Sequence, residues 1–436
     1  GRHNVMKIVS LGIGLAVGLV LIAKVYFEQS YDDFYPDRDR VYQVWAKYQQ
    51  NGGELKDYPQ TSGGIAPTMQ QQIPEIETVT RYTSFGDWTF TMTDTKMKYS
   101  GRCIIADSCF FDILPRPMLI GNAKEVLSTP MYVLISSRIA KNIGGDVIGK
   151  NFTVDNSPGR TMTIGGVFEE VPENSHSRYD VIVSMASAGR FMWEGSPTNM
   201  LGNDRYISYV KLHKGVNPLA LEEQVRTFVN SYFPPEEQQK VGLSIDFSFH
   251  KLDNLHKELP QVKRMTWILS LLAFALIFTA VMNYILIVIS SIVNRSKEVA
   301  VHKCYGASEN NIHGMMFGEA LVHIVLSLIL ALLLILAFRG TVEELLATSL
   351  DSLLLSNGSL VLLGICILVF FVSGFMPGSL YARIPVASAF RNYRENKRIW
   401  KKALLLVQFV ATGFLVTMLV FVARQYTFMV NDRPGY

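Results

Sequence analysis

Cysteine and charge are both scarce in this chain of 436 residues. Its four cysteines are too few for a disulfide-stabilised scaffold of this length. Charged residues make up only 18% of the sequence, and they concentrate in one large block and a few short segments. A soluble protein would have to bury the remaining apolar runs on all sides, so this distribution excludes an ordinary soluble protein and favours a membrane protein.

The positions of the cysteines limit their role further. Cys304 and Cys366 lie in or beside apolar segments, whereas Cys103 and Cys109 lie close together in the polar block. A bridge between Cys103 and Cys109 is an open alternative. Two separate buried thiols are the better expectation, because an unpaired Cys behaves as a small apolar side chain.

Complete motifs for catalysis or cofactor binding are also lacking. Gly144, Gly149 and Lys150 have the spacing of a phosphate-binding loop, but Asn151 follows where that motif needs a hydroxyl for magnesium. The sequence shows neither a metal-ligand spacing of His, Cys and carboxylates nor an arguable Ser-His-Asp arrangement. We therefore predict no catalytic residue, no metal site and no cofactor in this chain.

Long apolar stretches are what the sequence does have. Five of them occur, at 5–27, 267–293, 314–338, 359–381 and 403–424. Each holds roughly 20 or more mostly apolar residues, enough to cross a hydrocarbon core of about 30 Å as a helix. The first stretch is long and has no small-residue cleavage site, so we interpret it as a retained anchor rather than a signal peptide.

Short segments of contrasting charge separate these stretches. The segments after the second and fourth stretches are basic, whereas the one after the third carries Arg339 against Glu343, Glu344 and Asp351. The basic residues are Arg295, Lys297 and Lys303 in the earlier segment, and Arg383, Arg391, Arg394, Lys397, Arg398, Lys401 and Lys402 in the later one. The positive-inside rule then predicts a multi-pass protein of the cell inner membrane, with a cytoplasmic N-terminus and a large periplasmic domain. The later segment is expected to contact membrane lipids and not nucleic acid.

The polar block after the first stretch has a mixed α/β pattern. Strand, helix and strand patterns occur at 40–46, 65–73 and 77–83, and again at 206–212, 218–232 and 243–250. Residues of about 98–204 hold many short strand-like runs between them. We therefore predict a membrane α-helical bundle plus an extracytoplasmic α+β domain, in which a β-rich lobe is inserted between two related α/β units.

Polar residues and glycines inside the apolar stretches indicate contacts between helices. Asn283 lies midway along the second stretch, and Glu319 and His323 share one face of the third. An ionisable side chain at the bilayer centre costs about 2.5–3.5 kcal/mol on insertion scales, so these should face other helices. A static hydrogen bond is favoured over a relay that changes partners. Gly14 and Gly18 have the spacing of a close helix–helix contact.

The segment 294–317 has the most informative pattern in the chain. It predicts a charged amphipathic helix that ends at Gly306 and a new helix that begins after Ser308 as its N-cap. The exposed face would carry Lys297, Glu298, His302 and Lys303. The alternative is a plain turn that only rests its apolar side on the membrane surface.

At this segment the chain resembles a known family. The run RSKEVAVHKCYGAS at 295–308 is similar to the R-x-K-E-[IV]-x-x-[HR]-K-x-x-G-A-S signature of FtsX-like, MacB-type ABC transporter permeases. Asn283 and Glu319 match polar positions of that family. Further similarities follow the first stretch; they comprise Glu28, Ser30, Tyr31, Asp32, Phe34, Arg40, Val41, Tyr42, Pro74, Glu75, Ala106, Asp107, Phe110 and Phe111.

The resemblance implies that the α/β lobe is porter-like and carries an inserted β-rich lobe, and it also implies a function and partners. The segment with Lys297, Glu298, His302, Lys303, Gly306 and Ala307 would be the coupling helix that docks on a dimer of separate cytoplasmic ABC ATPase subunits, which hold the ATP and magnesium. The permease would use ATP hydrolysis to move its periplasmic domain, exporting or extracting a peptide, antibiotic or lipoprotein. A periplasmic adaptor or outer-membrane exit protein is a further expected partner. The alternatives are a receptor whose outer domain signals inward and an FtsX-like activator of a cell-wall hydrolase.

The fifth stretch departs from family members with four spans. It resembles the first span of a second copy, so we expect the N-terminal half of a double-unit permease, or else a homodimer. The predicted divisions are the first helix 1–27, the outer domain 28–264, the second helix with its stalk 265–293, the coupling helix 294–313, the third helix 314–338, an outer loop 339–358, the fourth helix 359–381, a basic loop 382–402, the fifth helix 403–424 and a second outer segment 425–436.

Overall fold

The computed structural model describes residues 2–382, apart from 156, 291 and 356, and residues 398–431. The chain divides into a helical unit, Gly1–Gln29 with Pro260–Tyr436, and a sheet unit, Ser30–Leu259. Most of the predicted basic loop 382–402 lies outside the described residues, as do residues 432–436.

The helical unit is built from long apolar helices, whose backbone polar groups are satisfied within each helix. Among the described residues, three helices are long and apolar enough to cross a membrane: α1 (Arg2–Gln29, apolar from Asn4), α8 (Pro260–Ser290) and α10 (Glu309–Ala337). The later helices α13 (Ser359–Ala382) and α14 (Arg398–Asn431) contain shorter apolar parts among the described residues, Ser359–Phe375 and Leu405–Met418. The fourth and fifth spans therefore stay predictions.

Shorter helices lie between these spans. The amphipathic α9 (Ile292–Cys304) follows α8, and α10 begins at Glu309, directly after the predicted cap Ser308. Residues 309–313, which the predicted divisions placed in the coupling helix, thus belong to α10. The segment predicted as an outer loop contains α11 (Arg339–Leu346) and α12 (Leu350–Leu354). Helix α12 forms because the Ser349 side chain accepts a hydrogen bond from the Ser352 N–H and so caps the first turn.

The first lobe of the sheet unit is built from two interleaved strand–helix–strand units, one near each end of its sequence. Strands β1 (Val41–Gln50), β3 (Ile76–Met92), β10 (Ile207–Leu212) and β11 (Leu243–Lys251) pair antiparallel in the order β11-β1-β10-β3. This is the order of a split β-α-β motif. Helices α2 (Ile65–Gln72) and α6 (Glu222–Tyr232) bury Met69 and Phe228 with Val44 and Val210 of the strands.

The β-rich lobe continues the same sheet. Strand β3 runs to Met92, well beyond the predicted end at 83, and passes through an irregularity at Gly86 with φ +73°. Beyond β3 the order is β4-β9-β6-β8-β5, so one sheet of 11 strands joins both lobes. The strands are β2 (Lys56–Tyr58), β4 (Lys98–Ala106), β5 (Met118–Ile120), β6 (Tyr132–Ser136), β7 (Asn151–Val154), β8 (Ser157–Phe168) and β9 (Val181–Ser184).

The described part of the sheet unit also contains four further short α-helices: α3 (Phe110–Ile113), α4 (Ala123–Ser128), α5 (Ser137–Ile143) and α7 (Pro235–Val241). Cys103 is buried and Cys109 half-buried, and both are free thiols, which confirms the expectation of two separate thiols. Burial raises the pKa of each thiol. Neither is therefore a reactive thiolate at neutral pH.

Candidate functional site

An ion pair joins α1 to α10. The Lys7 Nζ lies 3.2 Å from Oε1 of Glu319, with the Lys7 side chain 3% exposed and that of Glu319 26% exposed. Both residues lie in the first half of their helices. A cation and a carboxylate that are withdrawn from water stabilise each other only as a pair, so either group would be costly if the other were removed.

A hydrogen bond joins α1 to α8 at a nearby level. The Asn283 Nδ2 donates to Oγ of Ser10 over 2.5 Å. The two helices run antiparallel here, because Ser10 of α1 faces Asn283 whereas Gly18, two turns later, faces Ile277. A primary amide in hydrocarbon requires such a partner, and the serine on the neighbouring helix supplies it.

A third polar contact closes the set. The Tyr284 hydroxyl and the Nδ1 of the buried His323 are 3.2 Å apart, which joins α8 to α10. The Ser327 hydroxyl also donates to the carbonyl of Ile8 over 3.2 Å. Each pair among α1, α8 and α10 therefore shares a direct contact between polar side chains. We call the contacts Lys7–Glu319, Ser10–Asn283 and Tyr284–His323 the polar triangle.

Close backbone approach accompanies the polar triangle. A Cβ added at Gly14 would lie 2.3 Å from Cβ of Ala280, and one added at Gly18 would lie 2.4 Å from Cγ1 of Ile277. Only hydrogen fits at both positions. Without a hydrophobic force between helices in lipid, contact of this kind is a principal source of association.

The helix α9 carries the predicted charged face. Lys297, Glu298 and His302 are exposed, whereas Val299 and Ala300 are buried in the apolar core of the helical unit. Lys303 is half-buried. The apolar side thus anchors α9 on the bundle, and the charged side faces away from it.

A defined turn separates α9 from α10. The Gly306 N–H donates to the Lys303 carbonyl and the Ala307 N–H to the His302 carbonyl, with Gly306 at φ +90°. This is a Schellman termination, which glycine favours because it adopts positive φ without strain. The Ser308 side chain then caps α10 by accepting from the Asn311 N–H, as the sequence predicts.

Sequence reasoning identified one member of each polar contact and missed the other. Lys7, Ser10 and Tyr284 are the partners of Glu319, Asn283 and His323. The position of Lys7, about one turn inside an apolar helix, was the signal that could have revealed it. The exposed ring of Tyr305, 88% accessible in the turn after α9, was also missed.

The described residues hold no group of three or more His, Cys, Asp or Glu side chains arranged for a metal ion. The remaining basic candidates Arg383, Arg391, Arg394 and Lys397 lie outside the residues that the structure describes. The described site consists of the three helices of the polar triangle and the charged face of α9, which lies between α8 and α10 in the chain.

The chain matches a known protein family and several solved structures. Residues 270–386 match the family model of the FtsX-like permease C-terminal region. No match was found among curated proteins. A solved domain of a protein described as a permease from Porphyromonas gingivalis is 33% identical, and the match covers 50% of this chain and 91% of that one, with a TM-score of 0.46.

Two further solved domains are more distant. The periplasmic region of MacB from Actinobacillus actinomycetemcomitans is 14% identical, with 50% of this chain and 91% of that one covered and a TM-score of 0.34. The extracellular domain of the noncanonic ABC-type transporter YknZ from Gram-positive bacteria is 11% identical, with 47% and 98% covered and a TM-score of 0.33. Residues 270–386 match the FtsX-like permease model, and the chain is 33% identical to a solved permease domain of which it covers 91%, so it belongs to the FtsX-like permease family.

Proposed function

We propose that this permease transmits mechanical work from a cytoplasmic ABC ATPase dimer to its sheet unit. One observation carries the proposal: α9 buries Val299 and Ala300 in the bundle and presents Lys297, Glu298 and His302 outward. A partner that pushes on this charged face also pushes on α8 and α10, which flank it. ATP and magnesium belong to the partner, and the permease itself is not an enzyme.

The polar triangle supports transmission to α1. Because α1, α8 and α10 are tied pairwise, a displacement of α9 moves all three helices rather than α8 alone. Both α1 and α8 are continuous in sequence with the sheet unit, at Ser30 and Leu259. The second permease unit needed for a symmetric ATPase is a second half of the chain or a second copy of it.

The motion of the sheet unit performs the task in this proposal. The cargo is a peptide, antibiotic or lipoprotein that is exported or extracted on the periplasmic side. A periplasmic adaptor or an outer-membrane exit protein would receive it. The cargo need not pass between the described helices, since the sheet unit is the part that is moved.

Docking is tested by removing the charges of α9. The double variant Glu298→Ala with Lys303→Ala should lose most co-purified ATPase and most stimulated ATP hydrolysis. The matched control is Glu236→Ala with Lys240→Ala, which removes the same two charges from the exposed face of α7. If the α9 double variant keeps the complex yield and the hydrolysis of the control, α9 is a membrane-surface turn only.

Orientation is tested by labelling with a membrane-impermeant thiol reagent. Cys304 is exposed in α9 and should stay unlabelled in intact spheroplasts, because we place it in the cytoplasm. A cysteine at Leu355, 81% exposed after α12, should react in a Cys304→Ser background. The reverse labelling would invert the proposed topology.

A further inference from the structure

The chain that leaves α1 enters an unusual buried turn. Asp32 is fully buried and has φ +60°, a left-handed conformation that few residues other than glycine adopt. Asparagine and aspartate tolerate it better than most other residues, since their short polar side chains form local hydrogen bonds. The segment 30–35 that holds Asp32 belongs to the motif by which the chain resembles its family, and the proposed function leaves the motif unused.

The partners of Asp32 come from the inserted β-rich lobe. Its carboxylate accepts from the Ser175 hydroxyl at 3.0 Å, the His176 N–H at 3.3 Å and the His176 Nδ1 at 2.7 Å. The Asp32 N–H donates to the Asn174 carbonyl, and the Asn174 Nδ2 donates to the Ser30 carbonyl over 2.7 Å. Residues 174–177 lie in the loop between β8 and β9, which is remote in sequence from residue 32.

The second nitrogen of His176 extends the contact into the sheet. His176 Nε2 is hydrogen-bonded to the Tyr209 hydroxyl of β10, and it lies 3.3 Å from the Ser177 hydroxyl. The Ser177 hydroxyl in turn bonds the Tyr82 hydroxyl of β3. Burial raises the pKa of Tyr82 to about 12 and also raises that of Tyr209, so both phenols are neutral hydrogen-bonding groups.

The segment that leads back into α8 contacts residues 30–33 as well. The Tyr31 ring stacks on His256 with centroids 3.4 Å apart, and Lys257 Nζ lies 3.3 Å from Oδ1 of Asp33. Both passages between the sheet unit and the spans therefore meet at residues 30–33. The contacts of Tyr31 and Asp33 consist of ring stacking and an ion pair between partly exposed groups, whereas those of Asp32 are buried hydrogen bonds.

We propose that residues 30–33 and the loop 174–177 form a latch that makes the inserted β-rich lobe follow the first span. The latch works because a buried carboxylate that loses these donors has no water to replace them, so every unmet hydrogen bond opposes the separation. The loop also walls a cavity of about 330 Å³, lined in part by Tyr82, Arg102 and Arg178. Movement of α1 thereby reshapes this cavity.

This inference rests on the proposed function, so its test has a resting arm and an ATP arm. The variant Asp32→Asn keeps the size of the side chain but removes the charge. The matched control is Asp33→Asn, whose carboxylate is 37% exposed and bonds Lys257. Hydrogen exchange is measured on the full chain in lipid nanodiscs, alone and with the ATPase.

In the resting arm, Asp32→Asn should raise amide exchange in residues 172–178 at least about tenfold, while Asp33→Asn should not. Unchanged exchange in both variants would overturn the latch. If Asp32→Asn does not fold, Ser175→Ala removes a single donor and should raise exchange in the same loop by a smaller factor. Unchanged exchange in Ser175→Ala would then overturn the latch instead.

In the ATP arm, wild type should show an ATP-linked change in exchange at β8 and β9. Asp32→Asn should keep complex yield and stimulated ATP hydrolysis but lose this change. If the change persists in Asp32→Asn, the first span does not act through the latch. If wild type responds nowhere within 30–259 although the complex forms, the proposed function fails and the inference fails with it.

Discussion

The helical unit and the sheet unit both bury polar side chains, but they are assembled by different forces. The sheet unit fills its core with large side chains, among them Phe90, Phe110, Phe152, Phe168 and Tyr209, all below 2% exposure. In the helical unit, α1 and α8 instead meet at two small residues, Gly14 and Ala280. A Cβ added at Gly14 would lie nearest to the Cβ of Ala280. Large apolar side chains such as Phe274, 67% exposed, lie on its outside.

The difference follows from the solvent of each unit. In water, burial of apolar area drives folding, so the largest side chains occupy the inside. In lipid the surroundings are as apolar as the interior, so close packing and polar contacts decide which helices associate. In the helical unit, the polar triangle thus helps to decide which helices pack together. In the sheet unit, burial of apolar side chains serves that purpose, so hydrogen bonds between side chains are not needed for it.

The largest expected effect is the loss of an aromatic side chain from the sheet core. Phe110→Ala should lower the free energy of unfolding of the sheet unit by about 3–5 kcal/mol, because it leaves a cavity. Denaturation of the sheet unit measures this, with Leu119→Ala, 57% exposed, as the control. A loss below about 1 kcal/mol would contradict the comparison.

Overpacking should matter most in the helical unit. Gly14→Leu should destabilise the contact of α1 with α8 by about 1–3 kcal/mol, since its Cβ would collide with Ala280. Thermal stability of the detergent-solubilised chain measures this, with Gly413→Leu of α14, which meets nothing within 4 Å, as the control. Gly14→Ala should be rescued by Ala280→Gly, and failure of that rescue would place the strain elsewhere.

The ion pair of the polar triangle should contribute a smaller amount. Glu319→Gln should lower thermal stability by about 1–2 kcal/mol, because it leaves the buried Lys7 cation without its carboxylate. Adding Lys7→Met should restore much of the loss. A Glu319→Gln variant that is fully stable but loses transport would show instead that the pair acts in coupling rather than in packing.

The smallest effect concerns pH and the sheet unit. Burial against Trp45 lowers the pKa of His250, so the folded state favours the neutral ring. This contribution is present above the unfolded pKa of about 6.5 and is lost as the pH falls. The melting temperature of the sheet unit should drop slightly between about pH 7.5 and pH 5.5, and His250→Gln should remove that part of the drop. If the pH dependence of the melting temperature is the same in His250→Gln as in the wild type, other groups cause the drop.

Much of the local structure could be predicted from particular residues. Ser308 caps α10 and Gly306 ends the segment before it, because capping chemistry depends on a few neighbouring residues. The length of β3 could not be predicted. It continues beyond residue 83 through Gly86 because β4 and β7 pair with it, and pairing partners distant in sequence leave no local pattern.

The sequence by itself determined which segments are apolar, where the charged segment α9 lies, and that Asn283, Glu319 and His323 need partners, since these follow from the cost of polar groups in lipid. Only the tertiary structure decided which partners they have. Lys7, Ser10 and Tyr284 are joined to them by helix register, and Asp32 is joined to His176 by a loop 144 residues away. Such pairings depend on the packing of whole elements, so the physical reason for them exists only in the folded chain.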